Sequence, residues 1–382
     1  MPIRFTLPVP AEEHVAFAYS PLLEAVLSLH VLAEPKHHPV QHRWVRQAAR
    51  FPAGLKRQID TLGFAFRSYL PEFVFPGPGG GFPAFEAELA QLDGLPAELV
   101  ALEFSRPLRG GTAPRDPAAL KDPSVRDEIA AAAAALPPPA CQLARLVIDD
   151  PARLLERFRA LLHDYWEHAF RAEWSRIEDS LADAVSAAGR DIAARGVGAA
   201  LAGVSAELRI STADGAVSLS LARPHDHQLR LAPGQHLVLV PSRYVWPHVR
   251  ANCDAPWPLG LVYPAPAVRE EGQVQIPPSE MLRVLRALAD DTRLRLLSVV
   301  AQRPRSTQEL APLLHISDAT CSKHLRVLAE AGLLHGRRDG YYVLYSLDRT
   351  RLACLQPSIT AFLAADGAAT GPPLDQPGAH PG

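Results

Sequence analysis

Between Ser306 and Leu347 the spacing of apolar residues changes from three-to-four to two, and that change limits what this end of the chain can fold into. Thr307, Leu310, Leu313 and Leu314 keep helical spacing, and Ser317 then offers a hydroxyl N-cap to a second helix. Cys321, Leu325 and Leu328 fall on one side of that second helix. Asp318, Ala319, Ser322, Lys323 and Arg326 fall on the other, which is small or polar. Gly332 can take the left-handed conformation that ends a helix. Leu333 and Leu334 then enter an extended run with Asp339-Gly340 in its middle and Tyr341, Tyr342, Val343 and Tyr345 beyond, the pattern of a β-hairpin.

Two short helices around a tight turn, followed by a basic hairpin, make a winged helix-turn-helix. Double-stranded DNA is the partner this architecture implies. The polar face of the second helix suits a major groove, so Ser317, Asp318, Ala319, Thr320, Ser322, Lys323 and Arg326 are expected at the DNA. Arg337 and Arg338, with Tyr341 beside them, have no core to fill and are expected on the phosphate backbone, where contacts position a protein without reading sequence. His324 admits a base contact or a packing hydrogen bond, and packing is favoured.

The net charge of −2 would disfavour nucleic acid if it were spread evenly. From Ser279 to Arg351, however, twelve basic residues face eight acidic ones, which gives that segment +4 and leaves −6 elsewhere. A modestly basic module on an acidic partner domain fits a DNA reader attached to something that does not touch DNA.

Residues from about Ser279 to Leu363 resemble the ArsR/SmtB family of bacterial transcriptional regulators. The resemblance rests on SEMLRVLRALADDTRLRLLSVVAQ, on the Ser-x-x-Thr-x-Ser-x-His-Leu pattern of Ser317, Thr320, Ser322, His324 and Leu325, and on Ala331-Gly332-Leu333. It implies a homodimeric, sequence-specific DNA binder, usually a repressor released by a ligand, that acts on inverted-repeat operators. Terminal and first helices, Leu352 to Leu363 and Met281 to Leu288, would supply the dimer seam. The family's thiolate metal sites need cysteines where this chain reads Ser306-Thr307-Gln308-Glu309-Leu310. Its zinc sites need His and carboxylates that Arg349 to Leu363 lacks, so neither metal route is expected.

The long region in front is punctuated by prolines. Ile3 to Val9 alternates like a strand, and helical patterns follow in 20–34, 41–51 and 53–70. The longest helical pattern, 152–195, carries one apolar stripe through Leu154, Phe158, Leu161, Tyr165, Trp166, Phe170 and Trp174. After Gly203 the period becomes two, in SAELRIST, AVSLSLARP, QHLVLVPSRYVW and PLGLVYPAP, with Asp214-Gly215 as a turn. The expected fold is an α+β N-terminal domain of helices plus a small antiparallel sheet over 1–270, then a winged helix-turn-helix over 279–365 and a disordered tail over 366–382. This organisation is similar to long ArsR-type regulators whose N-terminal domain has no assigned function.

Other candidates weigh less. The loop Gly77-Pro78-Gly79-Gly80-Gly81 follows the strand-like Phe73-Val74-Phe75 but lacks the Lys-Ser/Thr of a phosphate-binding loop, and Glu86 and Glu88 follow it. His37, His38 and His42, His225 and His227, and His163 and His168 lie near one another in the chain, but a metal site needs three or four donors converging from fixed positions, and no metal or cofactor is expected. The four cysteines lack paired spacing, which suits a reducing cytoplasm, and no run approaches a membrane span. Expected partners are therefore inverted-repeat DNA, a second copy of the chain and an unidentified small-molecule effector, with no membrane. The alternative is a small-molecule-binding or enzymatic N-terminal domain fused to a DNA-binding module, although a nucleophile elbow, an HExxH and a nicotinamide fingerprint are lacking.

Overall fold

A computed structural model describes residues 2–67, 69–79, 83–109, 116–202, 204–205, 207–222, 227–268, 278–339, 342–349, 351–352, 354–355 and 358–359. The chain divides into two compact units, Met1–Glu271 and Gly272–Gly382.

In the first unit, strands β1 (Pro2–Leu7) and β2 (Val15–Phe17) precede ten α-helices among the described residues. These are α1 (Pro21–Ala33), α2 (His42–Ala48), α3 (Ala53–Leu62), α4 (Phe64–Arg67), α5 (Phe85–Ala90), α6 (Ala97–Arg109), α7 (Pro123–Ala134), α8 (Pro138–Asp149), α9 (Pro151–Tyr165) and α10 (Arg171–Leu201). Strands β3 (Leu208–Ala213), β4 (Ala216–Ala222), β5 (His227–Arg230), β6 (Leu237–Ser242), β7 (Arg250–Asn252) and β8 (Gly260–Pro264) follow. Proline explains several helix starts: Pro21, Pro123, Pro138 and Pro151 occupy first-turn positions, where a missing N–H costs nothing.

The small antiparallel sheet expected here is corrected by the structure to two mixed four-stranded sheets, ordered β3-β4-β1-β5 and β2-β6-β8-β7. The β3–β4 hairpin turns at Asp214 and Gly215, both at positive φ, and β4 pairs antiparallel with β1. But β1 runs parallel to β5, β2 parallel to β6, and β6 parallel to β8. The N-terminal strands insert beside strands from the far end of the unit, so the parallel pairs need no short turn. Every residue of β6 and β8 is buried, as suits strands covered on both faces.

Phe5, Leu7, Leu219, Leu221, Leu239 and Leu261 form a core that Ile192, Val197 and Leu201 of α10 cover. The long helical pattern is not one helix. Trp166–Phe170 forms a π turn between α9 and α10, and α10 is broken again at Gly196, where φ is 76°. The stripe's aromatic residues pack against other rings: Phe85 stacks on Trp166 at 4.1 Å, and Trp44 meets Phe51, Tyr165, Phe170 and Tyr244. Glu72–Val74 is a 3-10 turn where a strand-like segment was expected, set off by Pro71 before it and Pro76 after it. Phe75 beyond it lies over Gly260, where an added Cβ would sit 1.9 Å from the ring. Of the glycine loop, Gly80 and Gly81 lie outside the described residues.

The second unit contains α11 (Pro278–Leu288), α12 (Asp291–Val300), β9 (Arg305–Ser306), α13 (Thr307–Leu313), α14 (Asp318–Glu330), β10 (Leu334–Asp339) and β11 (Tyr342–Leu347). Val284, Leu296, Leu310, Cys321, Leu325, Leu328 and Leu333 make its core. Much of the terminal helix expected over 352–363, and the whole tail, lie outside the described residues.

Candidate nucleic-acid interface

Ser306 closes a capping box at the start of α13. Its hydroxyl accepts from Glu309 N at 3.3 Å while its own N–H donates to the Glu309 carboxylate at 2.9 Å. Because Ser306 also ends β9, which pairs with Leu344 and Tyr345 of β11, the same residue ties the helix pair to the hairpin. His315, at φ 54°, turns the chain toward α14. Ser317 then caps α14, accepting from Thr320 N at 3.2 Å, with the two hydroxyls 2.9 Å apart.

Cys321, Leu325 and Leu328 are fully buried, and this fixes the helix rotation. Ser317, Asp318, Ala319, Thr320, Ser322, Lys323 and Arg326 are all exposed. Among the described residues Lys323 and Arg326 have no ion-pair partner, whereas Arg293, Arg295, Arg303 and Arg351 are each held by a carboxylate. The structure thus brings the predicted helix residues to one open face with two uncommitted cations. Ser317 and Thr320 differ from the rest in that their hydroxyls serve the cap. His324 is only partly exposed and lies 3.8 Å from Asp290, the N-cap of α12, in keeping with a packing role.

In the hairpin, Arg337 pairs with Leu344 and Arg338 with Val343, and both arginines are exposed. Neighbouring strand positions project to opposite faces, so the two guanidinium groups do not share one side. Gly340 and Tyr341 lie outside the described residues. Burial pushes the Cys321 thiol up to about 11, which keeps it protonated and unreactive at neutral pH.

In the first unit, His227, Cys253 and Asp254 bring potential metal-ligating atoms within 4.8 Å of one another. Asp254 is already committed: Arg106 Nη2 lies 2.9 Å from it, and the same guanidinium is 2.9 Å from Glu72 and 3.5 Å from Glu103. A metal ion there would stand beside a buried positive charge, so the donor set fits an ion-pair network better than a metal centre. Pro224, His225 and Asp226 lie outside the described residues. His38 is buried and bonded to the Trp246 carbonyl at 2.9 Å, and His168 bonds the Asp164 carbonyl at 2.9 Å.

A cluster the sequence reading missed surrounds a cleft of about 660 Å³ lined by Arg43, Arg46, Arg50 and Arg176. The first three recur along α2 and just past its end. On the sequence alone that spacing resembles an ordinary solvated helix face.

A model described as a family of unknown function, DUF5937, matches residues 1–269. The chain belongs to the DUF5937 family. A second model, a helix-turn-helix domain, matches residues 288–337 of this DUF5937 protein. Over 92 residues it is 39% identical to a probable mercury resistance operon repressor of Streptomyces lividans, covering 24% of this chain and 73% of that one. Over 81 residues it is 37% identical to the HTH-type transcriptional repressor SmtB of Mycobacterium tuberculosis, covering 20% of this chain and 60% of that one. An ArsR-like transcriptional regulator structure from Rhodococcus sp. RHA1 is 26% identical with a TM-score of 0.22, over 23% of this chain and 84% of that chain. The C-terminal unit of this DUF5937 protein is thus an ArsR/SmtB-type winged helix-turn-helix.

Proposed function

We propose that this chain is a sequence-specific DNA-binding transcriptional repressor, working in the cytoplasm as a homodimer on inverted-repeat DNA. The observation that carries the reading is the open face of α14, where Ser322, Lys323 and Arg326 stand exposed opposite a fully buried Cys321, Leu325 and Leu328. Lys323 and Arg326 take the base edges or adjacent phosphates, and the Arg337–Arg338 hairpin with Tyr341 takes phosphates. The repressors named among its relatives support the direction of control.

Dimerisation is supported by Leu282 and Leu285 on α11, which are 46% and 38% exposed at helical i, i+3 spacing. An apolar pair left in water suits a second copy of the same helix. The N-terminal DUF5937 unit then serves as sensor or assembly domain, and the signal enters there instead of at the family's metal positions. Among the described residues no helix is long and apolar enough to cross a membrane.

Footprinting the chain's own promoter and neighbouring operons at low salt tests the reading. A protected inverted repeat is expected, and uniform protection or none would contradict it.

A further inference from the structure

We infer that the cleft between α2 and the π turn of the first unit binds a small organic anion carrying two or more phosphate or carboxylate groups next to a flat apolar part. Four arginines line it, and none of its lining residues among those described is acidic. This is unusual for its setting, because the chain outside the Ser279–Arg351 segment is net acidic. Arg43, Arg46 and Arg50 are exposed and have no ion-pair partner among the described residues, while Arg176 is held by Glu173 at 2.8 Å.

Like charges gathered in one concavity repel one another unless an anion fills it, and the concavity focuses their field on whatever enters. Guanidinium forks match phosphate and carboxylate oxygens with paired hydrogen bonds. Phe51, 7% exposed because Trp44 and Tyr165 pack on its ring, shows the cleft only a narrow apolar edge beside the arginines, where the rim of a flat group can touch. The volume of about 660 Å³ is that of a small-molecule site. A second, independent feature points the same way: His168, on the opposite wall, belongs to the π turn Trp166–Phe170, and such turns recur where helices carry function.

The role of this anion as an effector rests on the DNA-binding function proposed above, so the site is tested without DNA. Calorimetric titration of the full chain at low salt would use pyrophosphate, which has the charge alone, and ATP, which adds a flat ring. Both should bind saturably, ATP more tightly, with affinity falling as salt is added. Arg46→Gln and Arg50→Gln should each weaken binding about tenfold, as expected for a lost charge-assisted hydrogen bond. Arg57→Gln, exposed on α3 outside the cleft, should leave binding unchanged. Thermal unfolding of each variant separates lost binding from lost folding, and Arg176→Gln provides a further variant from the other wall. Saturable binding by neither probe, or affinity unchanged in Arg46→Gln and Arg50→Gln, overturns the proposal.

Discussion

At the scale of single residues, the proposed DNA face depends on two uncommitted side chains and the buried three opposite them. Lys323→Ala should reduce discrimination between operator and random DNA by roughly tenfold, the size of one base contact. Arg338→Ala should weaken both DNAs alike and flatten the salt dependence by about one unit of slope. Anisotropy titrations at several salt concentrations check both, and the opposite assignment of effects would exchange their roles. In the first unit, Glu88 Oε2 accepts from Ser20 Oγ and Leu22 N, each at 2.9 Å, and burial still pushes its carboxyl up to about 7 from 4.5. The folded state therefore keeps a proton that the unfolded chain has already released, and this contribution to stability is lost as pH rises from about 4.5 through 7. Glu88→Gln should flatten the decline between about pH 5 and pH 8 by on the order of 2 kcal/mol in urea unfolding, and an unchanged slope would contradict the assignment. Ser317, Cys321 and Leu325 were legible in the sequence because a cap and an apolar stripe are local patterns. The arginine cleft was not, since its second wall lies more than a hundred residues along the chain.

At the scale of elements, α14 depends on its ends. Ser317→Ala should cost about 1 kcal/mol by releasing the Thr320 N–H, and Gly332→Ala a similar amount, because φ there is 74°. Chemical denaturation of the full chain, followed by the transition of the second unit, measures both; a neutral Ser317→Ala would show that the cap carries no load. The hairpin was legible because Asp-Gly between β-rich flanks is a short-range signal. The sheets of the first unit were legible as strands but not as pairs. Alternation in Ile3–Leu7 says that a strand is there, while its neighbours β4 and β5 come from the far end of the unit and nothing in a strand's own pattern states their direction. The π turn was likewise hidden, because Tyr165, Trp166 and Phe170 satisfy a helical stripe whether or not one turn is widened.

At the scale of the whole chain, two units of opposite charge balance divide the labour. On the proposed function the positive segment carries the face for DNA, while the acidic DUF5937 unit carries a cleft lined by four arginines. Assembly is the link between them that the proposed function requires. Replacing Leu282 and Leu285 together by glutamate should convert a dimer to a monomer in sedimentation and weaken operator binding by about a hundredfold or more, because half-site contacts are then no longer tethered. A dimer that survives the change would move the seam elsewhere. The most direct measurement is footprinting of the intact chain across its own promoter at low salt, beside Lys323→Ala. The account predicts one protected inverted repeat for the wild-type chain and weakened, less selective protection for the variant. Equal, sequence-independent protection by both proteins, or none by either, would contradict it.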